Sequence, residues 1–188
     1  MTIHEDPGWR PSLRGLWWYA LPIVGSVTRV RARHREANGL IALRSVFLGL
    51  IVPLLLFVVV LGFIEPWDGG DEGWVPWAVV AIGIASLVYV ARIRRRHLPS
   101  TSPEALAHVY RAWFFIGVGV SSAAALWGFV GVLLGGSLWI YLVGLAFGLV
   151  GLWMIAPTRS DIERRQCEIT AAGSPLSLLD ALISVPRP

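Results

Sequence analysis

The chain has 188 residues, of which 55% are hydrophobic and 15% charged, whereas soluble domains carry roughly a quarter charged residues. That balance excludes an ordinary soluble globular domain and calls for lipid to cover the surface. The net charge is +4 and all 16 basic residues are arginine, but the arginines flank apolar runs instead of alternating with exposed aromatics, which excludes a nucleic-acid groove and makes lipid headgroups the anionic partner.

The absence of lysine points to a GC-rich bacterial source. Cys167 is the single cysteine, so no intrachain disulfide is possible.

Taken in chain order, residues 1–11 hold Glu5, Asp6, Pro7 and Pro11 ahead of the first apolar run, so no cleavable signal peptide is predicted. The run Gly15 to Thr28 is only 14 residues long, is interrupted by Pro22 and contains Trp17, Trp18 and Tyr19. It is too short to span and reads as an interfacial or re-entrant segment within a cytoplasmic N-terminal region, residues 1–44. Arg29, Arg31, Arg33 and Arg35 follow it.

The transmembrane domain is placed at residues 45–158. Ser45 to Ile64 is a run of 20 residues without a charge, or about 30 Å of helix, which predicts the first span. Pro53 near its centre removes a backbone donor, so a kink is expected there, with the freed carbonyl satisfied by a neighbouring helix. The connection after it carries Glu65, Asp68, Asp71 and Glu72 and no arginine. Trp74 to Ala91 predicts the second span, opening on Trp74 and Trp77 and stopping at Arg92, Arg94, Arg95 and Arg96.

Ser102, Pro103 and Glu104 read as an N-cap, a proline at the first helical position and an acid in the first turn. They predict that the third helix starts about ten residues before its span and runs unbroken to Leu134. From Ala112 to Thr158 no residue is charged. Those 47 residues suit a hairpin broken at Gly135-Gly136-Ser137, with spans at about 113–134 and 138–155. In the tail, residues 159–188, Ser160 is read as the cap of a helix from Asp161 to about Thr170 that Gly173 ends. Ser174-Pro175 is read as the start of another with Leu176, Leu179, Leu182 and Ile183 on one face.

Every arginine falls on one side of these spans, which by the positive-inside rule predicts both termini in the cytoplasm. The spans contain no Asp, Glu, His or Arg, the groups that mark proton and ion paths. Small residues recur at four-residue spacing in the hairpin: Gly117 with Ser121, Gly119 with Ala123, Ala124 with Gly128, Gly131 with Gly135, and Gly144 with Gly148. Such rows let backbones approach closely, so Gly117, Ser121, Gly128, Gly131, Gly144 and Gly148 are the predicted helix-packing residues, within the hairpin or in an oligomer. The predicted headgroup contacts are Arg29, Arg31, Arg33, Arg35, Arg92, Arg94, Arg95 and Arg96.

His4, His34, His97 and His108 have no metal-ligand spacing, and Glu104 with His108 is a surface pair. No catalytic, cofactor-binding or metal site is predicted.

The glycine-rich hairpin resembles the two-helix subunit of rotary ATP synthase rings, but no carboxylate stands near Ser121 and Ser122, which rules out that role. The chain, especially ALWGFVGVLLGG at 125–136 and APTRSDIERRQ at 156–166, resembles small actinobacterial multi-pass membrane proteins, a likeness that implies no activity. The reading is therefore an all-α integral membrane protein of a bacterial cytoplasmic membrane, with four transmembrane helices and short cytoplasmic interfacial helices. Its expected role is non-enzymatic, as a structural or accessory subunit that pairs with itself or with partner membrane subunits. The alternatives are an oligomeric small transporter or channel component, or a lipid-acting membrane enzyme using Glu104, His108 and Arg111.

Overall fold

The structure is a computed structural model that describes residues 8–13, 39–64, 73–98 and 101–184. Six α-helices order the described chain: α1 (Gly39–Ile64), α2 (Val75–Arg94), α3 (Pro103–Leu133), α4 (Leu138–Ile155), α5 (Arg159–Ala171) and α6 (Leu178–Ser184). Four of them, α1 to α4, are long and apolar enough to cross a membrane. The segment 15–28, the arginines at 29–35 and the acidic connection at 65–72 lie outside the described residues.

Local chemistry sets most helix ends. At α3 the Ser102 hydroxyl accepts from the Ala105 backbone N–H at 3.2 Å, and Pro103 and Glu104 fill the first turn. α3 then continues through Arg111 without a break to Leu133. It ends because Gly135 takes φ +95° and the Gly136 N–H returns to the Gly131 carbonyl at 3.1 Å. This is the left-handed glycine turn that most residues resist. The same device ends α5, where Gly173 has φ +80° and the Ser174 N–H reaches the Ile169 carbonyl at 3.2 Å.

Three ends differ from the sequence reading. α1 is already helical at Gly39, ahead of the charge-free run, and Arg44 within it turns inward and is bonded instead of marking a solvated boundary. α5 is capped by Thr158, whose hydroxyl accepts from the Asp161 N–H at 3.3 Å, and Ser160 lies inside the helix with its hydroxyl 3.1 Å from that of Thr158. α6 starts only at Leu178, with Ser177 accepting from the Asp180 N–H at 3.2 Å.

Gln166 explains the late start. Its amide donates to the Leu176 carbonyl at 2.9 Å and accepts from the Leu178 N–H at 2.7 Å, holding residues 176 and 177 out of helix. The buried side of α6 is accordingly Leu178, Ala181 and Leu182, so of the predicted face through Leu176, Leu179, Leu182 and Ile183 only Leu182 is buried and the other three are half-buried.

The chain divides into two compact units. One comprises Met1–Gly49, His97–Ala112 and Ala156–Pro188, and the other comprises Leu50–Arg96 and Trp113–Ile155, so α1 and α3 contribute to both. In the second unit α4 is the central helix. It meets α3 along Gly144, Gly148 and Gly151, meets α2 where Phe147 fills the space above Gly83, and reaches α1 through Tyr141. α1 stays helical through Pro53. The hydroxyl that reaches it goes to the carbonyl of Leu54, the next residue, rather than to the carbonyl of Gly49 that the proline leaves without its helical donor.

Candidate functional site

In the Leu50–Arg96 and Trp113–Ile155 unit, α3 and α4 approach each other closely along a glycine seam. A Cβ built on Gly128 would stand 3.0 Å from the Ile140 carbonyl oxygen and 3.1 Å from the Tyr141 Cα. One built on Gly148 would lie 3.2 Å from the Ser121 carbonyl, and one on Gly151 would lie 2.6 Å from the Ser121 hydroxyl. At Gly144 it would fall against the Ala124 carbonyl oxygen, inside any normal contact.

These partners run in antiparallel order along the two helices, so the backbones touch over nearly three turns. The Gly144 hydrogen that occupies the Cβ direction points at the Ala124 oxygen, a Cα–H···O contact of the kind common at helix interfaces. Gly131 meets the side chains of Val75 and Ile140, and Gly117 meets Ile155. Gly119 meets nothing within 4 Å and belongs to an exposed face. Gly151 was not singled out in the sequence, although its spacing of three from Gly148 extends the row by another turn.

Polar groups in these helices are held by backbone or packing. Ser45 and Ser122 donate to the carbonyls four residues back, Ile41 and Val118, each at 2.9 Å. Tyr141, wholly buried, donates to the Leu54 carbonyl at 2.5 Å. Its ring completes a trio with Phe129 and Phe57, with centroids 6.3 Å and 4.7 Å apart in turn. The Ser121 hydroxyl is buried without a hydrogen-bond partner, closed over by Gly151.

Among the described residues, the other unit contains two buried arginines. Arg44, 0% exposed, donates through Nε to the Pro157 carbonyl at 3.1 Å and through Nη1 to the Gly8 carbonyl at 2.8 Å, with Trp9 beneath its guanidinium at 5.1 Å. Trp9 also packs on Phe47, and Ser12 donates to the Ile41 carbonyl at 3.3 Å, so residues 8–13 are tied along the start of α1.

Arg165 and Asp161, one helical turn apart and both 7% exposed in their side chains, form an ion pair at 3.0 Å. Arg164 holds the other carboxylate oxygen at 2.8 Å, and the Arg165 guanidinium lies over the Tyr110 ring at 5.5 Å. In the sequence both arginines counted only toward topology. The signal for the second was Asp161 with Arg165 at i, i+4 in the segment APTRSDIERRQ.

The remaining predicted residues divide by exposure. Arg92, Arg95 and Arg96 are exposed at the end of α2 and make no ion pair among the described residues, while Arg94 is half-buried. Glu104 and His108 are exposed, Arg111 is half-buried, and the described residues contain no group of three His, Cys, Asp or Glu side chains placed to hold a metal. Comparison of the chain with protein-family models, with curated proteins and with solved structures finds no match.

Proposed function

We propose that the chain is a non-enzymatic, four-span protein of a bacterial cytoplasmic membrane, serving as a structural or accessory subunit that packs against a second copy or partner helices. Two exposed stripes support insertion. On α4 the exposed residues are Trp139, Ala146, Val150 and Trp153, with the two tryptophans toward opposite ends of the helix, the ends at which interfacial aromatic residues are enriched. On α2 the exposed residues are Trp77, Ala81, Ile84, Ala85, Val88, Tyr89 and Arg92, so one stripe runs from aromatic to basic. The arginine asymmetry supports a cytoplasmic side for both termini, the basic α2 end and the short helices α5 and α6, with anionic headgroups as the partner of the arginines at 29–35 and 92–96.

The observation that carries the accessory role is the use made of polar and small residues in α1 to α4. Ser45, Ser122, Tyr141 and the seam glycines all serve helix structure or helix contact, while large apolar side chains such as Phe63, Trp77 and Trp153 stay outward. Surfaces of that kind associate with other helices or lipid.

The test is cross-linking in the native membrane followed by purification through a tag at Pro188. A stoichiometric partner or a defined homo-oligomer is expected, and a chain recovered only as a monomer refutes the role. Reporters fused at Pro188 and at Gly70 are expected inside and outside respectively, and a cytoplasmic signal at Gly70 overturns the orientation.

A further inference from the structure

The exposed stripe of α2 ends in a chemically distinct patch. Tyr89, Arg92, Arg95 and Arg96 are all exposed. Tyr89 and Arg92 are three residues apart on one helix face, Arg95 is the C-cap residue of α2, and the Arg96 N–H is bonded to the Ile93 carbonyl at 3.1 Å. The patch therefore closes the last turn of the helix and begins where the apolar stripe through Ile84 and Val88 stops.

No acidic residue occurs between Gly73 and Pro103 to compete for these guanidiniums. Arg94, half-buried and already engaged, stands apart from the patch. The carbonyls of the α2 C-terminus carry partial negative charge, which favours arginine there but offsets only part of the positive charge of three exposed guanidiniums.

We infer that Tyr89, Arg92, Arg95 and Arg96 form a binding site for the phosphate of an anionic glycerophospholipid whose acyl chains lie along the exposed Ile84 and Val88 stripe. This rests on the membrane-spanning reading above and names the ligand of one part of its basic side. Lipid is the occupant because the patch continues an apolar stripe. A soluble anion would use the arginines but gain nothing from Ile84 and Val88. Arginine supplies planar paired donors for phosphate oxygens, and the Tyr89 hydroxyl adds one donor at the level where the hydrocarbon ends.

The experiment uses the full chain in phosphatidylcholine vesicles, with spin-labelled phosphatidylglycerol or spin-labelled phosphatidylcholine as the reporter lipid. The motionally restricted fraction gives the selectivity between the two. The wild type is expected to favour phosphatidylglycerol severalfold. Selectivity should fall to near unity in the Arg92→Gln, Arg95→Gln, Arg96→Gln triple variant, fall partly in Tyr89→Phe, and weaken as salt is raised. Arg159→Gln with Arg164→Gln, on α5, is expected to leave it unchanged.

A wild type without selectivity, or a triple variant that keeps it, overturns the site. Competition by millimolar inorganic phosphate reassigns it to a soluble anion and overturns the lipid assignment. Should the triple variant lose its helical circular-dichroism signal, Arg92→Gln and Arg96→Gln singly replace it, each expected to lower selectivity measurably. Loss of the cross-linked partner with lipid selectivity intact would defeat the accessory reading alone, whereas the reverse would defeat this site alone.

Discussion

Adding one methyl group at Gly144 is the sharpest perturbation of the seam. Its Cβ would meet the Ala124 carbonyl oxygen and stand 3.2 Å from Val79 Cγ1, and a backbone carbonyl cannot swing aside as a side chain would. Restoring ordinary contact requires α3 and α4 to separate by about 1 Å, and a gap of that size forfeits roughly a quarter to a half of the dispersion energy at each contact it opens. The neighbouring contacts at Gly128, Gly148 and Gly151 share that loss.

With the Cα–H···O contact, about 0.5–1 kcal/mol, and an overpacking penalty of about 1–3 kcal/mol, Gly144→Ala should destabilise by roughly 2–3 kcal/mol. The gain in helix propensity, at most about 1 kcal/mol, offsets part of it. Gly119→Ala is the control, since nothing lies within 4 Å of its Cβ position; it should be neutral or slightly stabilising. Equilibrium unfolding in mixed detergent micelles, followed by far-UV circular dichroism, measures both. Ala124→Gly should not rescue Gly144→Ala, because the obstacle is the carbonyl and not the methyl. A Gly144→Ala protein as stable as Gly119→Ala would refute the close backbone contact.

Three further outcomes are expected from the same unfolding assay. Tyr141→Phe keeps the ring beside Phe129 but removes the donor to the Leu54 carbonyl, costing about 1 kcal/mol; no change would mean that the bond contributes nothing. Ser121→Ala, which removes a buried hydroxyl without a partner, should stay within about 0.5 kcal/mol of wild type or stabilise, so a large loss would reveal an unrecognised partner. Arg44→Met strips donors from the Gly8 and Pro157 carbonyls and a cation from Trp9. At about 1.5–3 kcal/mol for each charged hydrogen bond, a loss of 3 kcal/mol or more is expected, with proteolysis near residues 8–13 as an independent readout.

Helix positions were legible in the sequence wherever charge or capping chemistry was local. The α3 start at Ser102-Pro103-Glu104, the turn at Gly135 and the stop at Gly173 each depend on residues within one turn of the boundary. What remained hidden depended on residues distant in the chain. Arg44 looked like a solvated flank because its acceptors, Gly8 and Pro157, are 36 and 113 residues away. The late start of α6 was equally hidden, since it follows from Gln166, 12 residues before the amide it accepts from. Spacing identified the small rows of the hairpin, but it could not separate Gly144, pressed on a carbonyl, from Gly119, which faces outward. That distinction depends on the rotation of each helix about its axis, which a four-residue period does not determine.

The central position of α4 has a consequence for biosynthesis. It is the last of the four long helices to leave the ribosome, yet α1, α2 and α3 all use it: Leu54 waits for Tyr141 across 87 residues, and Gly83 waits for Phe147. At the usual elongation rate of about 5–20 residues per second, that first interval lasts roughly 4–17 seconds. During it, α1 and α2 lack the helix that joins them, and any chain truncated before Leu138 lacks that helix permanently. Proteolytic quality control then has a simple criterion, because resistance to cleavage should appear abruptly once α4 has been added rather than grow with each helix.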